Sequence, residues 1–189
     1  MRPIPVDVIP SHIYLSQEDQ ATLFGIGRPM TIFKEHSQAG QLVYEETLEV
    51  QGGLKRVLQL RIMGPNWEQS QVYLTPTEAI YLGLKLQDES RAGDLSQAAA
   101  CTLFGPKDKV FLKNGAIIPK PNLLCSPKEA EELHIAHGQT VTVETVAEKS
   151  NQISEVTVRV HPTYRLRLEI HQDYARKLWI TSSIHVRLL

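Results

Sequence analysis

The sequence has few of the features that mark a secreted, membrane-bound or nucleic-acid-binding protein. Its two cysteines, Cys101 and Cys125, form no CxxC motif, so no disulfide framework is expected. No apolar run approaches the roughly 20 residues that cross a bilayer as a helix. The formal net charge of −1 gives no broad attraction to nucleic acid or anionic lipid. These absences predict a cytoplasmic protein whose partners are neither nucleic acids nor membranes.

Three stretches carry the signals of a capped helix start. Ser16, Thr75 and Ser126 are each followed three positions later by an acidic residue. In this arrangement the hydroxyl and the carboxylate both satisfy backbone N–H groups of the first turn. The glycines expected to end the three helices are Gly25, Gly83 and Gly138. The pattern predicts three helices of about 8–10 residues.

The segments around these helices alternate apolar and polar residues, as half-buried antiparallel strands do. They are QLVYEETLEV, LKRVLQLRIMG, KVFLKNGAII, QTVTVETV, EVTVRVH and YRLRLEI. VQGGL and KNGA contain dipeptides that tolerate positive φ and are predicted as hairpin turns. We therefore expect a mainly β protein with short α-helices, built as two helix-capped small β-barrels.

Two stretches of the chain echo each other. HIYLSQEDQATLFGIG, from His12, and NLLCSPKEAEELHIAHG, from Asn122, share a strand end, a capped helix and a glycine at matching offsets. A chance recurrence of capped helices is the alternative to an internal duplication. If the chain is an internal duplication, residues 1–84 with 85–115 form the first barrel half and its connector, and residues 116–189 form the second half.

Motifs with a known chemistry are missing. The sequence has no Gly-rich phosphate loop, no GxSxG elbow and no HExxH pair. His134 and His137 fall near the predicted end of the third helix, where histidine suits the helix dipole. His12 and His171 are each alone in their local sequence. The residues by themselves leave the site undetermined.

Several segments, in order, resemble the propanediol-utilisation-type phosphotransacylases, also called phosphate propanoyltransferases. They are VDVIPSHIYLSQEDQATLFG, SQAGQLVYEET, LRIMGPNWEQSQVYLTPTEAIYLGLK, AGDL, TLFGPKDKVFLKNGAII, SPKEA and LEIHQD. The resemblance implies two helix-capped barrels and the transfer of an acyl group between coenzyme A and inorganic phosphate. It also implies two zinc ions, held by two His-x-His pairs, a glutamate and a further histidine, which would stabilise charge in the transition state.

The chain departs from this pattern at most of the implied ligand positions. The two pairs correspond to His12 with Tyr14 and to Asn122 with Leu124, and the glutamate corresponds to Tyr73. Leucine cannot bind zinc, and neutral tyrosine is a poor substitute for imidazole or carboxylate. His12 and His171 are therefore predicted as the remnants of a degenerate zinc site in a divergent member that lacks most zinc ligands.

Two arginines implied by the resemblance are also absent. Their positions hold Trp67 and Ser90, so the bidentate groups that favour phosphate are lost. The start of the chain, MRPIPVDVIP, shows neither a secretory signal nor the N-terminal extension that targets family members to microcompartments. The absent arginines favour impaired or absent catalysis. The start of the chain favours a cytoplasmic protein.

Three functions stay open, and the two non-catalytic ones are favoured. The first is a pseudoenzyme that acts as a binding or regulatory protein, with coenzyme A or acyl-CoA as its ligand. The second is a partner subunit that forms a homo-oligomer or pairs with an intact family homologue. The third is an active phosphate acetyl- or propanoyltransferase with an altered metal site. The ligands considered for that site are His12, His171, Asn122 and Cys125, since a thiolate binds zinc well.

Overall fold

The computed structural model describes residues 2–86, 89–147, 150–181 and 183–189, and most of its regular structure is β-strand. The strands are β1 Ile4–Ile9, β2 His12–Tyr14, β3 Ile32–Glu35, β4 Leu42–Gln51, β5 Val57–Gly64, β6 Gln71–Tyr73, β7 Ala99–Phe104, β8 Lys109–Ile117, β9 Asn122–Cys125, β10 Thr140–Thr145, β11 Gln152–Val160, β12 Arg167–His171 and β13 His185–Leu188. The helices in the described ranges are α1 Gln17–Phe24, α2 Pro76–Leu82, α3 Pro127–Glu132 and α4 Gln172–Leu178. The predicted mainly β fold with short helices is confirmed. None of these helices is long and apolar enough to span a membrane.

The predicted helix starts are confirmed. Ser16, Thr75 and Ser126 are the N-caps of α1, α2 and α3, and each side chain accepts a hydrogen bond from the backbone three residues on. The predicted end of the third helix at Gly138 is wrong. The helix ends at Leu133 because His134 adopts a positive φ of 53°, which turns the chain out of the helix.

The six predicted strands are confirmed as β4, β5, β8, β10, β11 and β12. VQGGL does connect β4 to β5. The second predicted turn, KNGA, is wrong, because residues 113–116 lie inside β8. The pairing of β8 with β7 shifts register there, so the Asn-Gly pair accompanies an irregularity within a strand instead of a hairpin.

The N-terminal unit, Ser11–Ile118, is one barrel. Its strands follow the order β4-β5-β2-β6-β8-β7, and pairing of β4 with β7 closes the ring, while β3 lies along the edge of β4. Every strand of the ring contributes buried side chains to its core, and the contribution of β8 is Ala116. The largest buried side chains include Ile13, Leu48, Ile62 and Leu103.

The C-terminal unit, Met1–Pro10 with Pro119–Leu189, is a second closed barrel of order β1-β12-β9-β11-β10-β13. The structure thus groups the first ten residues with the second barrel, although the sequence-based division assigned them to the first half. The reason is that β1 pairs with β12 and β13, and its Ile4 and Val6 are fully buried in that barrel's core.

The two barrels share one pattern of pairing, which supports the internal duplication. In the first, β2 is parallel to β5 and antiparallel to β6; in the second, β9 is parallel to β11 and antiparallel to β12. The strand β8 is parallel to β6 as β1 is parallel to β12. Each repeat therefore contributes its first strand, β1 or β8, to the barrel that the other repeat builds.

Candidate functional site

In the N-terminal unit three implied ligand positions and Trp67, at the position of an implied arginine, form a cluster of rings. The ring cluster consists of His12, Tyr14, Trp67 and Tyr73. The His12 ring lies 5.0 Å from Tyr14 and 4.9 Å from Tyr73, measured between centroids. Tyr14 and Trp67 are stacked at 4.3 Å with planes 17° apart. Tyr73 meets both of those rings edge-on, at 5.7 and 6.4 Å.

Strand geometry brings these rings together. In the pairing of β2 with β6, His12 is opposite Tyr73, and residues two apart on a strand share a face. Ile13 and Val72 lie on the opposite face, in the barrel core. Trp67 comes from the segment between β5 and β6, where its backbone N–H donates to the carbonyl of Leu15 at 2.9 Å.

The surroundings of the ring cluster are apolar. Tyr14 is 5% exposed and Tyr73 7%. The apolar side chains packed with them are Val43, Met63, Ile117, Ala92, Leu95 and Ala98. An apolar environment disfavours a doubly charged anion such as phosphate. The place implied for the first half of a metal centre is therefore filled by hydrophobic packing.

In the C-terminal unit the second pair of implied ligand positions lies on β9. Asn122 and Leu124 are both buried, and Asn122 is opposite Glu169 in the pairing with β12. The Asn122 side-chain nitrogen donates to the carbonyl of Lys120 at 2.9 Å. Its buried Oδ1 has no hydrogen-bond partner among the described residues. Asn122 thus offers one neutral oxygen, and Leu124 offers no donor atom.

His171 has a structural role that sequence reasoning missed. It is the N-cap of α4, and its Nδ1 accepts a hydrogen bond from the Tyr174 backbone at 3.2 Å. Thr75 caps α2 in the same way, two residues after Tyr73. The shared pairing pattern then makes Glu169, two residues before the His171 cap, the counterpart of Tyr73. The equal spacing of strand and cap in the two repeats is the signal that could have identified Glu169.

Glu169 is the most perturbed carboxyl group of this region. Its pKa is raised to about 7, mainly by burial and also by the nearby Asp7 carboxylate, against the lowering effect of Arg159 and Arg167. Asp7 is itself ion-paired with Arg167 at 3.0 Å, and it is the β1 partner of Glu169. The Glu169 carboxyl therefore changes its protonation state close to neutral pH.

Comparison with known proteins identifies the family. A family model for phosphate propanoyltransferase matches residues 5–180. The chain belongs to the phosphate propanoyltransferase family. The phosphate propanoyltransferase of Citrobacter rodentium is 35% identical over 175 residues, which cover 92% of this chain and 82% of the relative. That of Priestia megaterium is 32% identical over 172 residues, covering 91% and 79%. That of Lachnoclostridium phytofermentans is 32% identical over 187 residues, covering 98% and 87%.

The residues of this family member do not fit the two zinc ions that the resemblance implies. No group of three or more His, Cys, Asp or Glu side chains in the described part of the chain could hold a metal ion. Zinc sites in proteins use at least three protein ligands. Position by position, Tyr14, Tyr73 and Leu124 replace imidazole or carboxylate with groups that bind zinc poorly or not at all.

The altered metal site considered for this family member also lacks a suitable thiol. Cys125 belongs to the hydrophobic core of its barrel. Burial, with a smaller effect of Glu129, raises the pKa of its thiol to about 11. The thiolate that binds metals is therefore strongly disfavoured at neutral pH. Cys101, in the other barrel core, has a pKa raised to about 12 by burial.

Proposed function

We propose that this chain is a non-catalytic member of the phosphate propanoyltransferase family that serves as a binding or partner subunit. The observation that carries the proposal is the ring cluster, in which three rings occupy positions implied for zinc ligands and Trp67 occupies that of an implied arginine. His12, Tyr14 and Tyr73 contact one another there in apolar surroundings. Fold alone does not confer an activity, since the activity depends on the groups in the site.

The chemistry of the remaining donors supports the same proposal. Acyl transfer to phosphate needs an electrophilic centre that holds an anion and stabilises charge on the thioester oxygen. His12, His171 and Asn122 supply two nitrogens and one neutral oxygen at the implied positions, which is fewer donors than two zinc ions with at least three protein ligands each would need. Trp67 also stands in place of an arginine that would bind phosphate.

The decisive experiment combines a metal count with an activity assay. We expect mass spectrometry to find less than one zinc per chain in protein purified without chelators. We also expect no release of coenzyme A from propanoyl-CoA and phosphate at high protein concentration. The Citrobacter rodentium relative, prepared and assayed in parallel, is the positive control. Two zinc ions per chain, or turnover that scales with protein concentration, would refute the proposal.

The binding role is tested separately. Coenzyme A and acyl-CoA are the proposed ligands. A calorimetric titration with each, without phosphate, measures whether the chain binds them although it does not catalyse the transfer. The proposed protein partner is a second copy or an intact family homologue. Co-expression of this chain with a tagged intact homologue, followed by light scattering of the purified complex, tests that partner. A lone monomer that binds neither coenzyme A nor the homologue would exclude both roles.

A further inference from the structure

We infer that the ring cluster joins β2 to β6 in place of the implied metal ion, and that it also holds the segment between β5 and β6. The inference rests on the proposed loss of the zinc centre and adds what took its structural place. In a metal site, ligands from separate strands are joined through the ion. Here the same strands are joined by direct contacts among His12, Tyr14, Trp67 and Tyr73.

The direct pairing between β2 and β6 is short, although β2 also pairs with β5 and β6 with β8. Strands β2 and β6 are three residues long, so only three residue pairs link them. A ladder this short needs side-chain contacts on its faces to be stable. On one face Ile13 and Val72 pack into the barrel core. On the other face the rings supply the contacts.

The geometry of the rings is that of attractive aromatic pairs. Tyr14 and Trp67 are close to parallel, whereas Tyr73 meets each of them edge to face. Both arrangements are favoured by the charge distribution of aromatic rings and add to the gain from burial. Trp67 is the key member, because its ring stacks on Tyr14 of β2 and its backbone N–H donates to Leu15, the residue directly after β2.

If the rings and not a metal ion stabilise the N-terminal unit, the melting temperature should respond to ring substitutions and not to chelation. We expect the melting temperature of the wild-type protein to be the same after chelator dialysis and after zinc addition. Trp67→Ala should lower it by roughly 5 °C or more, since it removes a large packed ring. Phe111→Ala is the matched control, because that ring in the same unit is 67% exposed; it should change the melting temperature by less than about 1 °C.

A double-mutant comparison tests whether the rings act as one unit. Tyr14→Ala and Trp67→Ala together should lower the melting temperature by less than the sum of the single effects, because each removes the same stacked contact. Phe111→Ala combined with Trp67→Ala should be additive. If either alanine variant does not fold, Tyr14→Leu with Trp67→Leu replaces the pair, since leucine removes the ring contacts and retains more apolar volume than alanine.

The outcomes separate this inference from the proposed function. Additive effects of Tyr14 and Trp67 in a zinc-free, inactive protein would overturn the ring-cluster inference alone. A chelator-induced fall in the wild-type melting temperature would overturn it as well. Bound zinc with coenzyme A release would refute the proposed function, whatever the ring variants do. Non-additive ring effects with a chelator-insensitive melting temperature support the inference.

Discussion

At the scale of single residues, His171 shows that a residue type can fit two explanations until its contacts are known. Its imidazole suggested a surviving zinc ligand, yet its Nδ1 caps α4. The sequence could not reveal this, because histidine is not among the usual capping residues. By contrast, the losses at Tyr14, Tyr73 and Leu124 were readable from the sequence, since they concern which donor atoms exist. That Tyr14 and Tyr73 would contact each other depended on strand pairing.

The capping role of His171 predicts the behaviour of two substitutions. His171→Ala should lower the free energy of unfolding by about 1 kcal/mol, because the first turn of α4 loses its acceptor. His171→Ser should restore most of that loss, since serine is a favoured cap. Urea denaturation of the purified variants measures both. A serine variant as unstable as the alanine variant would show that the imidazole has a role beyond capping.

Glu169 makes part of the stability depend on pH. Its pKa rises from an ordinary 4.5 to about 7 in the folded protein, so between these values the folded state keeps a proton that the unfolded chain releases. The stability from this group is therefore complete below about pH 4.5 and is lost as the pH rises through about 7. Glu169→Gln cannot ionise, and we expect it to be more stable than the wild type at pH 8.

Urea unfolding at pH 5 and pH 8 tests the sign. The wild type should lose more stability than Glu169→Gln between the two values. Glu144 provides the contrast, because hydrogen bonds from Arg187 and Ser150 and the Arg187 charge lower its pKa. Glu144→Gln should cost stability at pH 8 instead of adding it. Equal pH dependence in the wild type and Glu169→Gln would contradict the shifted pKa.

At the scale of elements, local signals determined what could be predicted. Helices with a hydroxyl cap were found because the cap and an acid, with a proline in α2 and α3, lie within four residues. Helix α4 was missed because its cap is a histidine, and β1 was missed because its membership in the second barrel depends on pairing with strands more than 150 residues away. The KNGA segment was misassigned because an Asn-Gly pair serves a strand irregularity as well as a turn.

The pairing of β1 predicts which strands a destabilising substitution in β1 will affect. Val6 is fully buried in the C-terminal core, and Val6→Ala should cost about 2 kcal/mol of unfolding free energy. Hydrogen exchange should accelerate in β12 and β13, its pairing partners, and not in β5 or β6. Val72→Ala, in the other core, should give the reverse distribution. Faster exchange in β2 and β5 for the Val6 variant would contradict the pairing.

At the scale of the whole molecule, the exchanged first strands explain why the two halves of the sequence are not the two barrels. Similarity between two stretches suggested the duplication, and the pattern of short strands and capped helices predicted the two-barrel architecture. The exchange could not be read from the sequence, because β1 and β8 look alike as strands and only their partners differ. The N-terminal barrel is continuous in sequence, and the C-terminal one is assembled from both chain ends.

This arrangement predicts that a circular permutant will fold. Strand β1 is antiparallel to β13, with Ile4 opposite Val186, so the two chain ends lie side by side and a loop of two to five residues can join them. Opening the chain between Pro10 and Ser11 then makes each barrel continuous in sequence. We expect an unchanged circular dichroism spectrum and a melting temperature within about 10 °C of the parent. The same joined chain opened inside β8, between Phe111 and Leu112, is the control, and it should fail to fold because the cut divides a strand of the N-terminal ring. A Pro10–Ser11 permutant that loses the exchange protection of β12 would show that β1 needs its link to β2 to find its place.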